Sequence, residues 1–180
     1  MNNYLNTKYP NISIPKVILV VVISLYMFYY LATLYDWHFI DNINLIFHEA
    51  GHTIFSFFGE FINILGGTIM QILIPIIFSL YFARSEDYFS ASLLLFWLSQ
   101  NFFNVSVYAG DAAKMQLPLL GGDNVIHDWN YILSTSGLLG HTTLVASYLY
   151  SIGIIILIVA IVLSLKFSTK ESSSLISKIS

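Results

Sequence analysis

Cysteine is absent from all 180 residues, which removes disulfides, thiolate metal ligands and cysteine nucleophiles together. Any metal held by this chain takes nitrogen and oxygen ligands. Charge is nearly as scarce. Charged residues are 9% of the chain, where a soluble domain carries about a quarter because its surface must be hydrated. The formal net charge is −3 and the pI about 5.9, and there is no basic patch, so no nucleic-acid partner is indicated. The chain is instead 57% hydrophobic and 16% aromatic, with a mean hydropathy of +0.75. This is the composition of an integral membrane protein whose surroundings are the lipid bilayer, here the cell membrane.

The few charges cut the sequence into apolar lengths. Crossing a hydrocarbon core of about 30 Å takes roughly 20 apolar residues in a helix. Helices are expected because backbone polar groups cannot be left unpaired in lipid. Spans are predicted at 17–35, 42–58, 68–83, 88–109 and 140–165, giving an all-α fold, a polytopic transmembrane helical bundle of about five to six passes in one domain, 1–180. The first run exceeds the roughly 7 to 15 residues of a signal-peptide core and reads as a retained span. A polar link covers 36–41, and a short apolar stretch ending at Gly66-Gly67 reads as a brief extended or re-entrant piece. Pro75 is expected to kink the third span, and Arg84, Glu86 and Asp87 form a charged turn. Segment 110–128 is polar and rich in turn residues, a short helix is expected near 131–139, and the Ser- and Lys-rich tail 168–180 reads as disordered. Trp37, Trp129, His38 and His141 suit the membrane interfaces. Five passes put the termini on opposite sides and divide the basic residues three against four, with no bias in orientation.

Inside the second apolar segment lies His48-Glu49-Ala50-Gly51-His52. Helical positions four apart differ by about 40° around the axis, so both imidazoles reach one ion. Glu49 lies beside them on the same broad face, close enough to take a proton from water there. His-Glu-x-x-His is the pattern of zinc hydrolases, in which three protein ligands leave one coordination position for water. Histidine supplies only 5 of the 180 residues, which makes the spacing specific. The expected cofactor is therefore Zn2+. An ionisable residue within a span costs about 2.5 to 3.5 kcal/mol on insertion scales and marks a functional site by default.

Candidates for the third ligand are Asp111, Asp123, His127 and Asp128, all in or beside the long polar segment. His127 and Asp128 suit either ligation or the orientation of ligands from behind. Gln100, Asn101 and Asn104 make a polar stripe on the fourth span. Asn104 and Asn101 are candidates for catalytic hydrogen bonding to an oxyanion, or for joining neighbouring helices.

The HEAGH segment followed by Gly66, Gly67, Gln71 and Pro75 resembles the site-2 protease family of intramembrane metalloproteases over about residues 42–112. The resemblance implies zinc, a membrane-protein or peptide substrate, and an aspartate from a later helix as third ligand. Asn104 and Asp111 are the nearest counterparts of the family's asparagine and aspartate, although Ala112 stands where the family has glycine. Two functions follow as expectations. One is an intramembrane zinc metalloprotease that uses metal-activated water with Glu49 as general base. The other is a non-proteolytic membrane protein that keeps a zinc site for transport, sensing or structure.

Overall fold

The computed structural model describes residues 12–117 and 127–169. These residues are all-helical: α1 (Ile14–Ala32), α2 (Phe39–Phe55), α3 (Glu60–Arg84), α4 (Tyr88–Asp111), α5 (Asp128–Thr135) and α6 (Thr142–Lys166). Three stretches are long and apolar enough to cross a membrane: Ile14–Ala32, Glu60–Arg84 and Leu139–Lys166.

Helix α4 is the axis of the bundle. From Phe89 to Asp111 none of its residues is exposed, which explains how it carries so many polar side chains. They face protein rather than lipid. Helix α6 packs antiparallel to it: the Ser99 hydroxyl donates to the Gly153 carbonyl at 2.9 Å, and Ser164 donates to Ser92 at 2.9 Å. Val20, Met27 and Tyr30 of α1 join Phe89, Phe96 and Phe103 of α4 and Leu157 and Ala160 of α6 in one apolar core. A second core gathers Ile64, Val105, Ala109, Trp129, Ile132 and Leu133 at the other end.

The helix ends sort into two groups. The Ser13 amide donates to the Ser168 carbonyl at 2.8 Å, Tyr88 stacks on Phe167, and Lys16 lies over the Phe89 ring. One end of the bundle therefore holds the start of α1, the end of α3, the start of α4 and the end of α6. The opposite end holds the start of α3, the end of α4, α5 and the start of α6.

Helix α2 runs antiparallel to α3, with His48 beside Gln71 and His52 beside Asn63, and finishes five residues before Glu60 opens α3. It begins where Tyr30, in the last turn of α1, hydrogen-bonds Asp41, and its first turns meet the middle of α4, where Gln100 bonds Asp41 and Asn44. Its polar side chains Asp41, Asn44 and His48 are buried against neighbouring helices.

Two expectations are corrected. Asp41 is not in the link but in the first turn of α2, where it forms a capping box with His38. His38 itself is buried, with Nε2 at 2.8 Å from the Thr33 hydroxyl. Gly66-Gly67 interrupts nothing, because α3 runs through it. A Cβ on Gly66 would lie 2.7 Å from that of Phe55, and one on Gly51 would collide with the Gly66 carbonyl oxygen. The close approach of α2 and α3 offsets the helix propensity that glycine sacrifices, about 1 kcal/mol each. Pro75 lies inside α3 as expected and is buried. At the start of the expected tail Ser168 is buried and Thr169 bridges to Ile12, and 170–180 lie outside the described residues. Asp123 and most of the turn-rich segment lie outside the described residues.

Candidate metal centre

The glycine contact between α2 and α3 sets the two histidines. Gly67 leaves room for the His48 ring; a Cβ there would lie 2.5 Å from Nε2. One turn on, His52 places Nδ1 at 2.9 Å from the Asn63 carbonyl of α3. A carbonyl only accepts, so His52 Nδ1 carries a proton, and Nε2 is the nitrogen that a metal would take. The two rings stand nearly perpendicular, with centroids 4.8 Å apart.

Asp128, the first residue of α5, completes the group. Its Oδ2 lies 2.7 Å from His48 Nε2 and 3.2 Å from His52 Nε2. The ligand atoms of these three residues fall within 4.8 Å of one another, a group able to hold a metal ion. Two imidazole nitrogens and one carboxylate oxygen form a donor set suited to zinc, and both imidazoles are hydrogen-bonded through their far nitrogens, as ligating histidines usually are. Burial pushes the Asp128 carboxyl up, but hydrogen bonds from His48 and His52 outweigh it and hold the group below the usual carboxylate range. His48 and Asp128 have side chains only 9% and 10% exposed, against 23% for His52, so the centre opens on the His52 side. Glu49 is exposed, and its charge acts on the His52 imidazole.

Asp111 and His127 do not join this group. The Asp111 carboxylate accepts from the backbone amides of Gln116 and Leu117, at 2.9 Å each, and lies 3.4 Å from His127 Nε2. His127 caps α5, with Nδ1 accepting from the Asn130 amide at 3.2 Å. Both residues therefore secure the segment that delivers Asp128. Asn104 serves the centre from behind. Its amide donates to Asp41 Oδ1 at 3.1 Å and its oxygen accepts from Gln71 Nε2 at 2.9 Å. Gln71 in turn is 3.2 Å from His48 Nδ1. The Asn101 amide is turned to the Trp97 carbonyl of its own helix at 3.0 Å.

Two residues were missed at the level of sequence. The Tyr108 hydroxyl accepts from the Asp128 amide at 3.1 Å, its ring packs on His127 at 4.4 Å, and it sits 6.2 Å from the His48 ring. Its signal was available, since 108 continues the 100–104 stripe by one turn. Asp41 had no such signal, because nothing in the sequence brings it to α4.

Comparison of the chain with protein-family models, curated proteins and solved structures gives no match. The functional reading therefore rests on geometry and chemistry.

Proposed function

We propose that this protein is an intramembrane zinc metalloprotease of the site-2 protease type, cleaving peptide bonds of membrane-protein substrates. The observation that supports this reading most is the convergence of His48, His52 and Asp128, with the exposed Glu49 next to His48 in the sequence. His48, His52 and Asp128 would hold the metal. Zinc, when bound, polarises a carbonyl and lowers the pKa of water towards neutrality. Glu49 takes the proton of the attacking water as the oxygen adds to the peptide carbonyl carbon, and returns it to the amine as the carbon–nitrogen bond breaks. Ile46, 67% exposed and one helical turn before Glu49, gives an apolar neighbour suited to a lipid-embedded substrate.

The reading is tested with purified protein in liposomes carrying a single-span substrate. A chelator is expected to abolish cleavage and stoichiometric zinc to restore it. Zinc that binds without any cleavage would leave the non-proteolytic alternative standing.

The passes in this reading are α1, α3, α4 and α6, an even number that agrees with Ser13 and Ser168 lying side by side. Helix α4 spans about 36 Å at 1.5 Å per residue, and its neighbours shield its polar face. Lys16, Arg84 and Lys166 then fall on one side and Lys114 on the other. In sequence, Lys8, Lys170 and Lys178 lie beyond the two helix ends on the basic side. By the positive-inside rule that side is cytoplasmic and the metal centre faces outward. The lack of native cysteine makes the check clean. In intact cells a membrane-impermeant thiol reagent is expected to label Ser136→Cys and to miss Ser85→Cys, both positions being exposed. The reverse pattern would invert the orientation, and equal labelling of both would defeat the four-pass arrangement.

A further inference from the structure

Asp41 lies far from the metal-binding atoms, yet two chains of buried amides end on it. Trp97 Nε1, which can only donate, bonds Asn44 Oδ1 at 2.8 Å. That turns the Asn44 amide nitrogen to Gln100 Oε1, at 2.7 Å, and the Gln100 nitrogen to Asp41 Oδ1, at 2.8 Å. Asp41 Oδ2 accepts the His38 amide at 2.8 Å. The carboxylate is thus the sink for every donor around it.

The second chain leaves Asp41 towards the metal centre, and its direction is forced at each step. A carboxylate only accepts, so Asn104 must present its nitrogen, at 3.1 Å. Its oxygen then faces Gln71, which must present its own nitrogen there, at 2.9 Å. Gln71 Oε1 is left facing His48 Nδ1 at 3.2 Å. An acceptor at that place requires a proton on His48 Nδ1. Nε2, which meets the Asp128 carboxylate through a proton in the metal-free chain, is then the nitrogen left to ligate when zinc takes that proton's place. A terminal amide read alone could be turned round. Anchored to an acceptor-only group, this one cannot.

We infer that Asp41 is a positioning residue for the metal centre, fixing the Nδ1–H tautomer of His48 through Asn104 and Gln71. The inference rests on the proposed function only in requiring that His48, His52 and Asp128 bind zinc. Cutting the relay with Asn104→Leu frees Gln71 to turn, and zinc affinity is expected to fall about 10- to 100-fold, the range of outer-shell partners. In a Gln71→Glu background, a carboxylate holds the same tautomer unaided. There Asn104→Leu is expected to alter affinity by no more than about twofold, the scatter of independent sites.

Zinc affinity is measured by chelator competition on the full-length protein, with thermal unfolding of each metal-free variant as the check on folding. An equal loss in both backgrounds would reduce Asn104 to a packing role, and no loss in either would remove the relay; each outcome overturns the inference. A wild type that binds no zinc defeats the metal centre itself, a result separable from both. Should Asn104→Leu fail to fold, nitrogen-15 spectra of the zinc-loaded wild type decide, since His48 must show a protonated Nδ1 and a ligated Nε2. Ligation through Nδ1 overturns the inference.

Discussion

Glu49→Gln is expected to leave zinc binding intact and to lower peptide hydrolysis by about 10²- to 10⁴-fold, the usual contribution of a positioned general base. The substitution keeps shape and hydrogen-bonding length but removes the group that accepts a proton. Zinc should remain because the three convergent atoms belong to His48, His52 and Asp128, and Glu49 is not among them. The fold should remain as well, since Glu49 is exposed and lies outside the α2–α3 contact made by Gly51 and Gly66. Two assays on one preparation check this: elemental zinc content and cleavage of a reconstituted substrate. Loss of zinc would make Glu49 a ligand and end its role as base. Full activity with zinc retained would place the base elsewhere. This variant separates hydrolase from transporter or sensor, because only the hydrolase needs a proton acceptor beside the open face.

The two histidines of the candidate metal centre were legible because their information is local. A spacing of four on a helix specifies a shared face whatever the rest of the chain does. The third ligand was not, because Asp128 reaches His48 across 80 positions of sequence, and that separation is closed only by α4, α5 and Tyr108. Sequence left Asp111, Asp123, His127 and Asp128 open. What divides the carboxylates of Asp111 and Asp128, whose chemistry is identical, is backbone: the amides of Gln116 and Leu117 occupy Asp111, while Asp128, at a helix start, meets both imidazoles. The setting of α2 was hidden for a related reason. Hydropathy records how apolar a segment is, but not whether its polar residues face lipid or protein. The polar face of α2 is spent on α3 and α4, which no hydropathy profile of its segment records. The glycine pair misled in the same way. Gly66-Gly67 is a breaker by propensity, but here it is the groove that lets two helices touch.

Asp128→Ala is expected to cost more zinc affinity than any change behind the ligands, beyond the roughly 100-fold upper range of outer-shell substitutions, and to abolish cleavage with it. Two imidazoles then remain where a catalytic zinc site uses three protein ligands. The loss should be specific to the metal, because α5 is held by other means: the Asn130 side chain donates to the Ala112 carbonyl at 2.7 Å, and Trp129, Ile132 and Leu133 are buried in the second core. Removing the carboxylate leaves these contacts in place, so α5 stays docked, and the two imidazoles left without their acceptor should lower the stability of the metal-free protein by about 1–3 kcal/mol. Asp111→Ala is the matched control. It releases two backbone amides and the His127 contact, loosening the segment that carries Asp128 without touching the ion, so its cost should stay within the outer-shell range. The two variants together assign the third ligand. If Asp111→Ala emptied the site while Asp128→Ala kept its zinc, the carboxylate on the metal would be Asp111, and the convergence of His48, His52 and Asp128 would be an ion-pair cluster of the metal-free chain.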